Sequence, residues 1–494
     1  MRHRRSIFYS ALLLTGVNLL LRTIGTGFQV YLSGRIGAAG IGLLQLVLSV
    51  AGLSMTAGIA GIRTSSMYLT AEELGKKRPQ NVIWVISGCC GYSMIFSSAI
   101  CAMVYLFAPQ IALFWIGDPR TTDALRLFAA FMPVSCLCGV MIGYFTAANR
   151  ISTLAAVEVA EQLFSMTITV SALHFWAGNE PSRACQAVIL GSGCGAMLTL
   201  LCLVILRIKE RPPKGPRIPI GRRLANTALP LALADDLKAG ITSLENLMVP
   251  KRLSLYAGSA DPLALFGIVC GMVFPILMFP CAILFGLAEL LIPELARCSA
   301  AGSKSRIHYL MHHSLKLVLL YGVLCAGIEY ICADQLCLAL YKNKDAGTFL
   351  RWFSPLMIML YLDMITDAMI KGLGQQKASV RYNILTSAMD VVLLFILLPN
   401  YGIVGYFTSF TLTHAINFIL SLRRLMYITG EKIPIGVPIC ALTAALAAVM
   451  AASIFQSLLM QIMVYLTLLF SLLKLLKVVS VKDLRWLQHL IFAK

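Results

Sequence analysis

The sequence predicts an all-α polytopic membrane protein. It would have about 14 transmembrane helices: two six-helix lobes in pseudo-two-fold repeat, then two C-terminal helices. Three observations predict this. Of 494 residues, 59% are hydrophobic and only 13% charged, where an ordinary soluble domain runs near ~45–50% and ~25%. Apolar stretches of helical length recur along the whole chain. Lys and Arg crowd into alternate connecting segments. Fourteen spans of ~20 residues would occupy roughly 280 residues, which leaves no room for a large soluble domain.

The first apolar stretch, 7–32, follows a basic start (Arg2, Arg4, Arg5) with no small-residue cleavage site, so it reads as an uncleaved first span. Stretches 37–62, 82–107, 127–147, 154–175 and 185–206 complete the first six. Residues 207–223, basic and carrying Pro212, Pro213, Pro216 and Pro219, read as a cytoplasmic linker. The second six are 224–249, 263–288, 311–331, 353–370, 383–399 and 402–422. Two more, 433–455 and 459–476, precede a basic tail. Each is long enough, or nearly so, to cross ~30 Å of hydrocarbon as a helix. The short alternating strands of a barrel are absent. The expected organisation is an N-lobe at 1–206, the linker at 207–223, a C-lobe at 224–426, and two extra helices with the tail at 427–494.

Net charge is +19, from 41 Lys+Arg against 22 Asp+Glu. In a soluble protein this would raise nucleic-acid binding. Here 29 of the basic residues fall in the loops on one side and nine in those on the other, which is how a membrane protein sets its orientation. The expectation is a multi-pass plasma-membrane protein with both termini cytoplasmic and no nucleic-acid partner. The 15 Cys lie mostly within apolar runs, as at Cys89, Cys90, Cys194, Cys202 and Cys270, with no CxxC pair or His/Cys ligand spacing. They read as small buried hydrophobes, and no metal or cofactor is expected.

An internal repeat shows at an offset of 225 residues. Gly42 maps onto Gly267 and Gly61 onto Gly286. The end of the fourth span, from Gly143 to Arg150, maps onto Ala368 to Gln375. Six helices per copy give both copies the same orientation, with the symmetry axis along the membrane normal and a cavity between them.

Ionisable residues inside apolar spans are costly and mark functional positions. Arg22 lies deep in the first span, with Arg5 and Arg35 as the nearest charges, so it should face a wet cavity or a carboxylate. The seventh span carries Asp235, Asp236, Lys238, Glu245 and Asn246. Positions 235, 238, 242, 245 and 246 share a helical face that cannot meet lipid. That face reads as a cavity wall or as a polar seam with Asp235 and Lys238 self-paired. In the tenth span, Asp363 and Asp367 sit one turn apart, with Lys371 a turn further. The two acids either share a proton or cation or are neutralised by Lys371. Glu158, Glu161 and Asp390 are further intramembrane acids, and His414 reads as a packing residue. No GxSxG, HExxH or P-loop is present, and no outer loop is large enough for a catalytic domain. No catalytic residue is expected.

Several segments together carry a resemblance: Leu21 to Gly25 around Arg22, Gly40 to Gln45, Gly143-Tyr144-Phe145 with Glu161-Gln162, Val249 to Leu253, Ile292 to Leu295, and Lys371 to Gly374. In order, over about residues 1–430, they resemble the stage V sporulation protein B-like group. That group belongs to the multidrug/oligosaccharidyl-lipid/polysaccharide exporter superfamily, which includes the lipid II flippases. The resemblance implies alternating access and export of an undecaprenyl-diphosphate-linked sugar precursor for peptidoglycan, with a sporulation setting and a cell-wall synthesis complex as implied context. It implies cavity cations for the diphosphate. Arg22 matches the first-helix arginine, Lys251 and Arg252 the basic pair after the seventh span. It also implies a groove for the lipid tail formed by the two extra helices. Arg63, where the group is usually apolar, joins the diphosphate candidates; Asp363 and Asp367 depart from the pattern too. Asp235, Lys238, Glu245, Asp363, Asp367 and Glu161 are the cavity and coupling candidates. The alternatives are a drug/cation antiporter of the same superfamily, a polytopic glycosyl- or acyltransferase using a lipid-linked donor, and a non-transporting cell-wall scaffold.

Overall fold

The computed structural model describes residues 2–478 apart from 60, 77, 179, 210–219, 259, 260, 432–435 and 477. Most of the expected linker and the basic tail therefore lie outside the described residues. In chain order the helices are α1 (Arg2–Ile59), α2 (Ile62–Gly75), α3 (Val82–Gln110), α4 (Thr122–Ala147), α5 (Ile151–Ala172), α6 (Pro181–Lys209), α7 (Gly221–Leu253) and α8 (Pro262–Phe266). They continue with α9 (Phe274–Leu277), α10 (Cys281–Ala300), α11 (Lys304–Tyr341), α12 (Lys344–Phe353), α13 (Leu356–Gly372), α14 (Gln376–Thr429), α15 (Gly436–Ala452) and α16 (Leu458–Leu475). No strand occurs among the described residues.

Among the described residues, eight helices are long and apolar enough to cross a bilayer, and two bent helix pairs pass the same test when each pair is taken together. Two of the eight are double. α1 breaks at Gly37 (φ 70°, ψ 180°) and α14 at Gly402 (φ 58°, ψ −136°), conformations that glycine adopts without the penalty of a Cβ. With those breaks, the polar α7 and the short α15, each of the fourteen expected stretches overlaps helix among the described residues. The physical cause is that hydrocarbon offers no hydrogen bonds, so each apolar run satisfies its own backbone. Hydroxyls within the spans do the same. Thr23, Ser54, Thr56, Thr146 and Thr167 donate to the carbonyl four residues earlier at 2.8–2.9 Å. Large apolar side chains such as Ile95, Leu106, Phe175, Leu446 and Leu459 stand exposed, which in this setting is a lipid-facing surface. The molecule is a multi-pass membrane protein.

The 225-residue repeat recurs in the turns. The left-handed residues Gly117 and Lys342 are 225 apart, as are Asn149 and Gly374. Each pair closes corresponding helices, α3 and α11 in one case, α4 and α13 in the other.

By packing, the chain forms two compact units. The first is residues 1–271 with 394–403; the second is 272–393 with 404–494. This boundary differs from the expected one at 206/224, because α7 packs against the helices that precede it. In the first unit Ile220, Leu224 and Ala228 enter an apolar cluster with Ile62, Leu69, Val85, Cys89 and Val140. Farther along α7, Ser243 Oγ donates to Ser49 O at 2.8 Å and Asn246 Nδ2 to Ser49 Oγ at 3.0 Å. The second unit is built around α11, whose Leu319 and Val323 meet Ala441, Ala444 and Ala448 of α15 and Tyr465 of α16. Tyr465 donates to Val323 O at 2.8 Å, which spares its hydroxyl an unpaired burial.

Candidate substrate cavity

Within the first unit a cavity of about 630 Å³ opens between α1 and α7. The wall from α1 is Gln45, Ser49, Gly52 and Thr56, spaced by three and four and therefore on one helical face. The wall from α7 is Asp235, Lys238, Thr242 and Asn246, on one face for the same reason. Arg63 and Thr64, at the start of α2, close one end. Arg63, Asp235 and Lys238 all have exposed side chains, and among the described residues none of the three is in an ion pair. Arg63 lies close enough to Glu158 for their charges to interact. Two cations and one carboxylate thus line the cavity, and an anion entering there can be met by the Arg63 and Lys238 side chains.

The other expected site residues are placed as follows. Glu245 is half-buried and does not line the cavity, because it sits on the flank of the face that runs through 238, 242 and 246. Lys251 and Arg252 line a neighbouring, mainly apolar cavity of about 480 Å³ with Phe114, Trp115 and Phe395. Leu53 and Ser243 border both cavities. Lys251 Nζ donates to Phe114 O, and the Arg252 guanidinium lies 3.1 Å from the Phe395 ring centroid, a cation–π contact. Arg22 is half-buried on the first segment of α1 and lines neither cavity. Glu161 faces α6, where Thr199 Oγ1 donates to it at 2.6 Å.

In the second unit, Asp363 and Asp367 have different partners. Lys371 Nζ lies 2.5 Å from Asp367, and Ser379 donates to the same carboxylate. Asp363 instead accepts from Asn417 Nδ2 at 2.8 Å, and its other oxygen is buried without a hydrogen-bond partner. Lys371 therefore engages one acid of the pair, not both. Asp390 accepts from Ser409 at 2.5 Å and from Thr413 at 3.3 Å. His414 stacks on Phe410 and meets its carbonyl at 2.9 Å, as expected of a packing residue.

Three features escaped sequence reasoning. Glu329 of α11 is buried with Oε2 lacking a hydrogen-bond partner; a lone acid in the 311–331 run was the available signal. An apolar cavity of about 620 Å³ lies among α11, α13, α14 and α15, with His312 and Lys316 on its lining. Arg223, at the start of α7, reaches Glu72 at 2.8 Å and Glu73 at 3.0 Å, and Asn81 also donates to Glu73 at 2.8 Å. No local pattern foretells partners 150 residues away. Between α3 and α4, the Arg120 guanidinium bonds Asp118 at 2.7 and 3.0 Å and holds its carboxyl below the usual carboxylate range.

These features define a class: a multi-pass helical membrane protein, built on an internal repeat, with a charged cavity walled by its helices. Residues 8–218 match the family model described as "Polysaccharide biosynthesis protein". The chain is 22% identical over 415 residues to stage V sporulation protein B of Bacillus subtilis (strain 168), covering 81% of this chain and 80% of that one. Its fold is similar to that of the lipid II flippase MurJ in an inward closed conformation, with a TM-score of 0.70 and 13% identity over 93% of this chain and 98% of that one. It is also similar to a multidrug resistance MATE family transporter of the MOP superfamily in an inward-facing conformation. There the TM-score is 0.68, with 13% identity over 84% of this chain and 96% of that one. The expected resemblance and fold class are thereby borne out.

Proposed function

We propose that this protein is a flippase that moves a diphosphate-linked sugar precursor on a polyprenyl carrier across the plasma membrane by alternating access. The observation that carries the proposal is the cavity between α1 and α7, where Arg63 and Lys238 stand without an ion-pair partner among the described residues. A diphosphate needs cationic donors in a wet site, and the guanidinium supplies two parallel bonds to a phosphate where an ammonium supplies one. The similarity to stage V sporulation protein B and to the lipid II flippase fold supports the same substrate class. The apolar cavity bordered by α15 has room for part of a prenyl chain. In this reading both termini are cytoplasmic, the repeat-related six-helix sets act as the moving lobes, and Lys251, Arg252 and Arg22 belong to the head-group path beyond the cavity. The protein would serve cell-wall polymer synthesis as a carrier, not an enzyme.

The test is translocation of fluorescent undecaprenyl-diphosphate-linked sugar in proteoliposomes, with and without an imposed membrane potential. Protein-dependent movement to the far leaflet, lost in the pair Arg63→Ala, Lys238→Ala, is the expected result. A purified, monodisperse protein that moves no lipid-linked diphosphate under either condition overturns the proposal. A drug/cation antiporter is the second reading, favoured by the partnerless oxygen of Asp363. It requires gradient-driven export of a cationic dye by the same vesicles.

A further inference from the structure

In the second unit, α14 ends at Gly430, whose left-handed φ of 71° turns the chain. Glu431 follows directly, and α15 begins at Gly436. Glu431 is therefore where the last two helices join the rest of the unit. Its carboxylate meets two histidines of α11: His308 Nδ1 lies 2.8 Å from Oε1 and His312 Nε2 lies 3.5 Å from Oε2. The other nitrogen of the first ring, His308 Nε2, lies 3.0 Å from Thr429 O in the last turn of α14. One imidazole thus grips the chain on both sides of the Gly430 turn.

Counting donors shows what this grip needs. A neutral imidazole has a single N–H, while a carbonyl and an ionised carboxylate only accept. His308 can make both bonds to them only as an imidazolium. If the extra proton sits on Glu431 instead, the acid donates to a neutral Nδ1 and the count is unchanged. In either placement the clasp holds one proton more than a neutral histidine beside a carboxylate. The three side chains are 28–35% exposed and His308 precedes the apolar run 311–331, so water has access to that proton.

The charges on the neighbouring elements have other partners or stand apart. On α11, Arg306 reaches Glu294 of α10 at 2.9 Å, and Arg297 of α10 lies 3.6 Å from the same acid. His313 meets its own helix at Tyr309 O, 3.0 Å away, and Lys304 and Lys316 lie one and two turns from His308. On α13, Asp367 and Lys371 pair with each other. On α14, Arg423 is exposed and Arg424 bonds Gln375; on α16, Lys474 is exposed. Lys432 lies outside the described residues. Toward α13 and α15 the surface is apolar. His312 borders the cavity of about 620 Å³, which Ile358, Leu362, Val437 and Pro438 also wall.

We propose that His308 and Glu431 form a proton-operated clasp that seats the start of α15 on this apolar cavity, and that loss of the proton at alkaline pH releases it. The clasp adds a regulatory joint to the flippase reading and does not depend on it. In the topology proposed above it faces the cytoplasm, so cytoplasmic pH would set how freely the last two helices move at the cavity.

The test is a nitroxide spin label at Gly436→Cys, in a background cleared of reactive cysteines. Gly436 is exposed at the start of α15, and a Cβ there meets nothing within 4 Å. Between about pH 5 and about pH 9, which brackets the range where histidine changes charge, the mobile fraction of the label should rise at least about threefold, as fits one charge-assisted bond partly screened by water. Glu431→Gln separates proton counting from simple contact. Its amide always has an N–H for the neutral Nδ1, so the label should stay immobile at both ends of the range. Glu431→Ala should leave it mobile at both ends. His313→Ala, whose ring bonds its own helix, should respond as the unsubstituted clasp does. A label that ignores pH with the clasp intact, or a pH response that survives in Glu431→Gln, overturns the proposal. If the Glu431 variants fail to fold, the first of these outcomes still decides, because it needs only the labelled cysteine. Label mobility reads the same whether or not the protein moves a lipid-linked diphosphate, so failure of the clasp and failure of the flippase reading are told apart.

Discussion

Arg63 and Asp235 line one cavity with opposite charge, so removing each should shift substrate affinity in opposite directions. Hydrogen bonds to charged groups contribute about 1.5–3 kcal/mol. Arg63 is exposed to the water of the cavity, which screens it toward the low end, about 1.5–2 kcal/mol. Arg63→Ala should then raise the KM for a diphosphate-linked substrate about tenfold to thirtyfold. Arg63→Lys should recover part of the loss, because charge survives but the planar fork does not. Asp235 repels the same substrate across the cavity. At roughly 8 Å and an effective dielectric near 40, that repulsion is about 1 kcal/mol, so Asp235→Asn should lower KM about fivefold. Both effects should shrink when salt is raised from about 0.05 to 0.5 M, as the Debye length falls below the width of the cavity. The assay is initial-rate translocation in proteoliposomes against substrate concentration at matched protein density. If both variants move KM in the same direction, or Asp235→Asn weakens binding, the cavity does not read phosphate by charge.

Other outcomes follow from the partners of single residues. Arg223→Ala leaves the buried Glu73 with Asn81 alone; with Arg223 partly exposed the loss should be about 1–2 kcal/mol, and adding Glu73→Gln should recover part of it in thermal melts. Asp367→Asn should lower the melting temperature by stranding Lys371, whereas Asp363→Asn should leave stability nearly unchanged and, if Asp363 couples transport, abolish its dependence on an ion gradient. The Asp118 carboxyl titrates below its usual value, so its stabilising bond is intact above about pH 4 and is lost as pH falls through the lower folded-state value. Melting temperature should therefore drop on acidification, and less so in Asp118→Asn.

The sequence by itself determined the class, a bundle of apolar membrane-crossing helices, because partition into hydrocarbon depends on the local run of side chains and not on tertiary partners. It also determined the repeat, whose offset of 225 reappears in the left-handed turns Gly117/Lys342 and Asn149/Gly374. The polar face of α7 was legible for the same local reason: positions 235, 238, 242 and 246 follow the helical period. What faces that stripe was decided only in three dimensions. Gln45, Ser49 and Thr56 are an unremarked face of α1 until the Ser49 hydrogen bonds bring Ser243 and Asn246 against it. Packing likewise placed Lys251 and Arg252 in a neighbouring cavity, turned Glu161 toward Thr199, and gave Lys371 to Asp367 and not to Asp363. Charge and period are properties of a segment. Which of several charges meets which depends on how two helices cross, and that is set by contacts such as Gly42 with Leu263, between residues far apart in the chain.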